Sequence, residues 1–320
     1  MEGEHNGLEA NTCKYCMLST AVKGIRLDEE GLCNLCRDHE RHQKKYASFF
    51  KSEADLKNII KNTVEVKTRA YDCLLLYSGG KDSTYVLIRL LEMGIRVLAM
   101  TFDNGYMSDR CRKNIKDVCN SYQVDNVIIS LPQERMDRIF LTSLQTESSV
   151  CHGCWRVINA RVIEMAFERD IPFIVTGLSR GQLYELWIHR LMEQEVEDVE
   201  EMEFLFSRWR TYAHYVDDEI ARLIDDFEVK DSCVHTRVTF IDFYRHCSVT
   251  KKEIIGFLKA RVPVWKNPED VGRCSSNCLI NDAGIVIHSR AKGYHYYAKS
   301  ISYPGRSGLA TSPGKKRWRN

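Results

Sequence analysis

Short apolar runs alternate along this chain with longer segments whose apolar residues recur every three or four positions. The run Leu74-Leu75-Leu76-Tyr77 breaks into Ser78-Gly79-Gly80-Lys81-Asp82-Ser83 and resumes as Tyr85, Val86, Leu87, Leu90 and Leu91 at helical spacing. This pattern predicts a buried strand, a glycine turn and a helix over 83–93 that ends at Gly94. A second strand is expected over 95–102, a helix over 108–122, a third strand over 124–130 and a helix over 133–150. An amphipathic helix with Val157, Ile158, Val162, Ile163, Ala166 and Phe167 then leads to a fourth strand over 171–177. Strands alternating with helices predict an α/β fold with a doubly wound parallel sheet.

Both flanks look different. Residues 37–70 are charged and helical in pattern, with Tyr46, Phe49, Phe50, Leu56, Ile59 and Ile60 marking one face. Helical patterns also run from about 184 to 226, and the acidic stretch from Glu193 to Glu203 reads as a solvated helix face. Residues 238–244 are strand-like, a short helix is expected at 250–260, and Pro263 and Pro268 bracket Trp265 in a loop. Residues 279–288 carry a strand–turn–strand signature. The division that follows is a cysteine-rich head over 1–45, a helical linker over 46–70 and a nucleotide domain over 71–185. A mostly helical substrate or cap region over 186–303 and a loose basic tail over 304–320 complete it.

Composition adds the compartment. With 44% hydrophobic and 28% charged residues and a net charge of +2, the 320-residue chain reads as soluble, with no global pull toward nucleic acid or membrane. No apolar run approaches the ~18 residues of a membrane span, and the first residues show no basic-then-apolar signal, so a cytoplasmic protein is expected. In a reducing compartment the 13 cysteines point to metal or sulfur chemistry rather than disulfides. Cys13-x-x-Cys16 and Cys33-x-x-Cys36 have the spacing of a four-thiolate structural zinc site, with strand–turn–strand expected between them, as in a zinc ribbon. An iron–sulfur cluster at the same four thiolates is the lesser alternative.

The glycine turn carries the first chemistry. Gly79 and Gly80 let an anion approach the backbone, and the next amides sit at a helix N-terminus, which favours phosphate. Lys81 adds a positive charge, and Ser78 and Ser83 add hydroxyls. Neither G-x-x-x-x-G-K-[ST] nor G-x-G-x-x-G is present. Asp103 and Asn104 follow the second strand, where doubly wound sheets place ligands.

A second constellation is made of sulfur. Cys151-x-x-Cys154 stands near a helix start, where a thiolate is stabilised and its pKa falls. Joined by Cys274 or Cys278, the pair can form a zinc knuckle, a redox or persulfide pair, or a three-cysteine cluster site. Buried structural cysteines are the plain alternative, and Cys73, Cys233 and Cys247 read that way.

Ser78-Gly79-Gly80-Lys81-Asp82-Ser83 resembles the loop of the PP-loop ATP pyrophosphatases, the adenine nucleotide alpha hydrolases. The resemblance implies cleavage of ATP between its α and β phosphates, adenylylation of a substrate oxygen, and displacement of AMP by ammonia or a sulfur species. It assigns ATP to Ser78, Gly79, Gly80, Lys81, Asp82, Ser83, Asp103 and Gly177, with Mg²⁺, and a substrate or adenylate contact to Arg180 and Gln182. The head Cys13/Cys16/Cys33/Cys36 resembles that of N-acetyl sugar amidotransferases. The strings 101–109, 174–182 and 272–282 resemble PP-loop proteins of natural-product and thiolation pathways. A C-x-x-C after the third strand plus a distant cysteine is similar to the PP-loop tRNA thiolases, where such residues serve a [4Fe-4S] cluster. Gly177-Leu178-Ser179-Arg180-Gly181-Gln182 replaces the thiolases' G-H-x-x-D-D, which disfavours a tRNA substrate. The resemblance therefore implies an ATP-dependent sulfurtransferase acting on a small molecule, with Lys81, Cys151, Cys154 and Cys278 as catalytic residues and a sulfur-donor protein as partner. The alternatives are an amidotransferase or C–N ligase fed ammonia by a partner, and a non-enzymatic nucleotide-binding module. A homodimer stays open.

Overall fold

The structure, a computed structural model, describes residues 12–16, 19–20, 24–42, 45–62, 69–183, 187–188, 191, 194–196, 198–212, 218–224, 237–268 and 278–291. They fall in two units, residues 1–47 with 282–320 and residues 48–281. Cys233, Cys274 and the basic tail of 304–320 lie outside the described residues.

In the first unit, Asp28 closes a turn with its carboxylate accepting the Leu32 N–H at 2.9 Å and its carbonyl accepting the Gly31 N–H at 2.9 Å. Leu27 bridges Cys33 in antiparallel fashion, and the chain then enters α1 (Asn34–His42), so Cys36 sits in a first helical turn. The expected strand–turn–strand is reduced to one bridge and a turn, because the polar run from Asp28 to Gly31 is all turn. Cys13 and Cys33 are fully buried with Ile25 as a small core. The sulfurs of Cys13, Cys16, Cys33 and Cys36 all lie within 4.8 Å of one another. Cys13 and Cys36 are 3.8 Å apart and Cys16 and Cys33 3.5 Å. A tetrahedral ion with Zn–S bonds of ~2.3 Å demands sulfur–sulfur edges of about 3.8 Å, so this set fits one such ion. Burial resists ionisation of Cys13, but N–H donors from Cys16, Cys33 and Tyr15 outweigh it and lower the thiol to about 6. Burial and the neighbouring Cys16 and Cys33 sulfurs push Cys36 up, a repulsion that a bound cation removes.

The second unit opens with α2 (Glu53–Asn62), followed by β1 (Cys73–Leu76), α3 (Lys81–Glu92), β2 (Val97–Asp103), α4 (Asp109–Tyr122) and β3 (Asn126–Ser130). The helices α5 (Gln133–Glu147) and α6 (Val150–Glu168) lead to β4 (Phe173–Thr176). The turn α7 (Arg180–Leu183), then α8 (Val199–Tyr212) and α9 (Glu219–Leu223), precede β5 (Thr239–Asp242), α10 (Phe243–His246) and α11 (Lys251–Arg261). The strands form one parallel sheet in the order β3-β2-β1-β4-β5. Successive residues face opposite layers. Cys73, Leu75 and Ala99 join the core under α3, α4 and α11, while Leu74, Leu98 and Met100 join the core under α5 and α6. Burial on both faces is why β1 reads as an unbroken apolar run rather than an alternating one.

Three boundaries differ from expectation. β5 pairs with β4 from Phe173–Thr239 to Thr176–Asp242, so the sheet continues past residue 185 into the segment read as a separate cap. Residues 279–288 form no strand pair; most belong to α12 (Asn281–Ala291), which carries Asp282 in its first turn and His288 and Arg290 in its last. Ile285-Val286-Ile287 is too short a run for periodicity to separate strand from helix, and the charges at both ends complement a helix dipole. Within the acidic stretch, Glu203 is no solvated face residue. It pairs with the buried Arg245, whose Nη1 donates to it at 2.9 Å, and with Lys51 at 2.7 Å.

Two outcomes test this architecture. Metal analysis of the purified chain is expected to find one tightly held zinc at the first unit, and Cys13→Ser with Cys33→Ser to abolish it. Gly79, at φ +70°, would place a Cβ 2.5 Å from the Cys111 carbonyl. Gly79→Ala should therefore lower stability by about 2 kcal/mol or more, read as a lower urea midpoint at unchanged m-value.

Candidate active site

β1 ends at Leu76 and the phosphate-type loop begins at once. The Ser78 and Ser83 hydroxyls meet at 3.1 Å, and the Ser78 N–H donates to Ser83 Oγ at 3.2 Å. Gly80 is the N-cap of α3, with extended backbone and no side-chain cap, so the first amides of α3 are left to an external acceptor. Lys81 lies against the carboxylate of Asp82 in an ion pair. Gly177, just past β4, packs on this start, where a Cβ would stand 3.4 Å from the Ser83 backbone. The loop therefore lies between β1 and β4, where the sheet order reverses direction, the usual ligand crevice of such folds.

The loop is gripped from behind by residues that the sequence did not single out for this. The buried Asn114 of α4 donates to the Gly79 carbonyl at 3.1 Å and to the Lys266 carbonyl at 2.8 Å, and accepts the Lys266 N–H at 3.0 Å. Trp265 Nε1 donates to the same Gly79 carbonyl at 3.1 Å. The Tyr244 hydroxyl donates to the Asp82 carbonyl at 3.1 Å. An asparagine on the buried face of α4, beside Cys111, Ile115 and Val118, was the available signal.

β2 runs beside β1, with Leu76 opposite Met100, and ends at Asp103, which Asn104 follows. Asp103 is committed to the turn: it accepts the Gly105 N–H at 3.0 Å and forms an ion pair with Arg112. Asn104 faces sulfur. Its Nδ2 stands 3.6 Å from Cys154 Sγ and 3.6 Å from Cys278 Sγ, while its Oδ1 accepts the Tyr106 N–H at 2.9 Å. Cys151 donates to Asn281 Oδ1 at 3.2 Å. The two cysteines of 151–154 lie inside the first turns of α6, and helix α5 stops at Glu147 rather than running to 150. Gly153 permits this, since a Cβ there would meet Ile139 of α5 at 2.8 Å.

The structure thus assembles Cys151, Cys154 and Cys278, but not as thiolates activated by the helix. Burial pushes the Cys151 thiol up to about 11, with the Cys278 sulfur adding to it. Burial likewise pushes Cys154 up to about 12 against the Asn104 hydrogen bond. Both shifts run upward with desolvation as the largest cause, against the fall expected at a helix start. Among the described residues only the N-terminal four satisfy a 4.8 Å grouping, so the sulfurs of this trio are more widely spaced than the ligands of one tetrahedral ion. Arg180 and Gln182 are held locally: Arg180 Nε donates to the Tyr244 carbonyl at 3.0 Å and stacks on Phe50, and Gln182 Oε1 accepts from the Ser179 backbone and hydroxyl at 3.0 Å each. Cys73, Cys111, Cys119 and Cys247 are buried core residues.

Residues 72–154 match the family model of the queuosine biosynthesis protein QueC. An uncharacterized protein of Methanocaldococcus jannaschii, MJ1599, is 29% identical over 166 residues, 52% of this chain and 58% of that protein. The chain thus spans little more than half the length of that relative. Among solved structures, the U34-tRNA thiolase NcsA of Methanococcus maripaludis with its [4Fe-4S] cluster aligns with a TM-score of 0.43 at 15% identity, covering 93% of this chain and 88% of the other. The NH3-dependent NAD synthetase of Campylobacter jejuni aligns with a TM-score of 0.37 at 10% identity, covering 86% and 94%. The QueC match runs from β1 through the loop, the end of β2 and on to Cys154, and for that segment it supports the PP-loop ATP pyrophosphatase superfamily.

Proposed function

We propose that this chain is an ATP-dependent sulfurtransferase that replaces a carbonyl or carboxyl oxygen of a small molecule with sulfur. The observation that carries the reading is the convergence of Cys154 and Cys278 on Asn104, just past the strand that pairs with the one bearing the ATP loop, with Cys151 three residues before Cys154 on the same helix and bonded to Asn281. Ser78, Gly79, Gly80, Ser83 and the α3 amides hold the phosphates, with Mg²⁺ balancing their charge. Lys81 leaves its ion pair with Asp82 to meet the charge that develops as pyrophosphate departs. The substrate oxygen attacks the α-phosphorus and pyrophosphate leaves. A hydrosulfide equivalent from a sulfur donor then attacks the activated carbon, and AMP leaves with the oxygen, so the sequence is redox-neutral.

The spacing of the trio supports sulfur chemistry over a structural zinc. Three cysteines brought from two distant segments are a donor set that would fit a cluster held by three thiolates. Bound there, a cluster with three protein ligands supplies one open iron for an exogenous sulfide. Cys154, buried against α5, and Cys278, bridged to Met107, would hold it from two sides, with Cys151 at the exposed rim.

The two half-reactions separate by mutation. Lys81→Ala is expected to lower ATP–pyrophosphate exchange about 100-fold or more, as loss of one transition-state contact does. Cys154→Ser is expected to keep that exchange within about threefold of the parent while losing sulfur incorporation from labelled sulfide. Full turnover with ammonia in Cys154→Ser would replace this reading with a C–N ligase.

A further inference from the structure

We propose that Asn104 is the positioning residue of the sulfur centre, pairing Cys154 and Cys278 as its anchoring sulfurs and leaving Cys151 as the outward one. The inference rests on the sulfur-transfer reading and deepens it. The orientation of the carboxamide is set by the chain itself. Oδ1 accepts the Tyr106 N–H at 2.9 Å, so the NH₂ group must point the other way; a flipped amide would set donor against donor. That NH₂ group has two hydrogens and meets two sulfurs, each at 3.6 Å, from residues 50 and 174 positions away.

The loop that carries Asn104 also fixes the distant cysteine. Met107 bridges Cys278, and the Leu279 N–H donates to the Tyr106 carbonyl at 2.9 Å. Cys154 is fixed from the other side by α6, whose Gly153 N–H donates to Ser143 Oγ at 2.8 Å. The separation of the two sulfurs cannot exceed twice their common distance to Nδ2. Cys151 is different in kind: it is exposed, and its sulfur donates to Asn281 Oδ1 at 3.2 Å instead of accepting from an amide. Two sulfurs are thus hydrogen-bond acceptors and one is a donor. N–H donors strengthen when the sulfur carries negative charge, as in a metal thiolate, and such outer partners hold ligands in register.

The test uses the full-length chain, reconstituted anaerobically with ferrous iron and sulfide. Iron per chain, the rate of iron loss to a chelator and the reduction potential are compared for the parent, Asn104→Asp and Asn104→Ala. Asn104→Asp keeps the acceptor for Tyr106, and with it the turn, but loses both donors and turns a negative charge toward the sulfurs. Both variants are expected to lose iron about 10- to 100-fold faster than the parent. Their potentials should shift negative, further for Asn104→Asp than for Asn104→Ala; a variant that only loosened the loop would not give this order. Should Asn104→Ala fail to fold, Asn104→Asp carries the test. Parent-like iron loss and potential in Asn104→Asp overturn the role of Asn104 and leave the sulfur centre standing. A parent that takes up no more iron than a Cys154→Ser, Cys278→Ser double variant overturns both.

Discussion

The pairing of β1 with β2 is the constraint on which the rest of the second unit depends. It sets Leu76 opposite Met100, and the ladder is extended by the Tyr77 N–H to the Met100 carbonyl at 2.8 Å and by the Thr101 hydroxyl to the Tyr77 carbonyl at 2.8 Å. With strands about 4.8 Å apart, the loop after Tyr77 and the turn after Asp103 become neighbours at the C-terminal end of the strands. A slip of one residue would exchange the two faces of β2, moving Met100 out of the α5–α6 core. It would also carry Asn104 away from the sulfurs. The glycine loop and the Asn104 turn are therefore aligned by the same register.

The loop itself is held by polar groups buried for that purpose. Gly79 turns its carbonyl inward, where an unpaired acceptor would cost ~1–3 kcal/mol, and Asn114 and Trp265 both donate to it. Asn114 has its own amide used up by Gly79 and by both backbone groups of Lys266. The result is a loop whose outward amides need not reorganise when an anion arrives, which is the condition for electrostatic stabilisation to assist a reaction. The left-handed φ of Gly79 and the crowding by Cys111 and Ile115 come from the same close approach of α4.

What was legible in the sequence was what depends on local pattern. The run from Leu74 to Leu91, the cap after α3 at Gly94 and the paired C-x-x-C spacing are encoded within a few residues of one another. The misreadings share a cause in long-range partners. Thr239–Asp242 is short and could be assigned to the sheet only through its pairing with β4, and the Ile285–Ile287 run has equal claims to strand and helix until its surroundings are known. Arg180 looked available for an anion because its partners, the Tyr244 carbonyl and the Phe50 ring, come from distant segments. From its place after the second strand Asn104 reads only as a general ligand position. Its sulfur contacts span up to 174 positions and leave no trace in spacing.

The two cysteine sets show why spacing in sequence does not determine chemistry. Both contain C-x-x-C, yet in the first unit two such knuckles close on each other, with sulfurs at 3.5 and 3.8 Å, edges that one tetrahedral ion requires. In the second unit the C-x-x-C lies on a regular helix, which spreads its sulfurs over the first turn, and the third sulfur arrives from beyond Asn104. With its three sulfurs not all within 4.8 Å of one another, the trio is poorly matched to one small ion. Desolvation raises both Cys151 and Cys154, and the Asn104 amide opposes it at Cys154 alone. The tight set closes on itself, whereas the wide set draws its sulfurs from two distant segments that meet just past the end of β2.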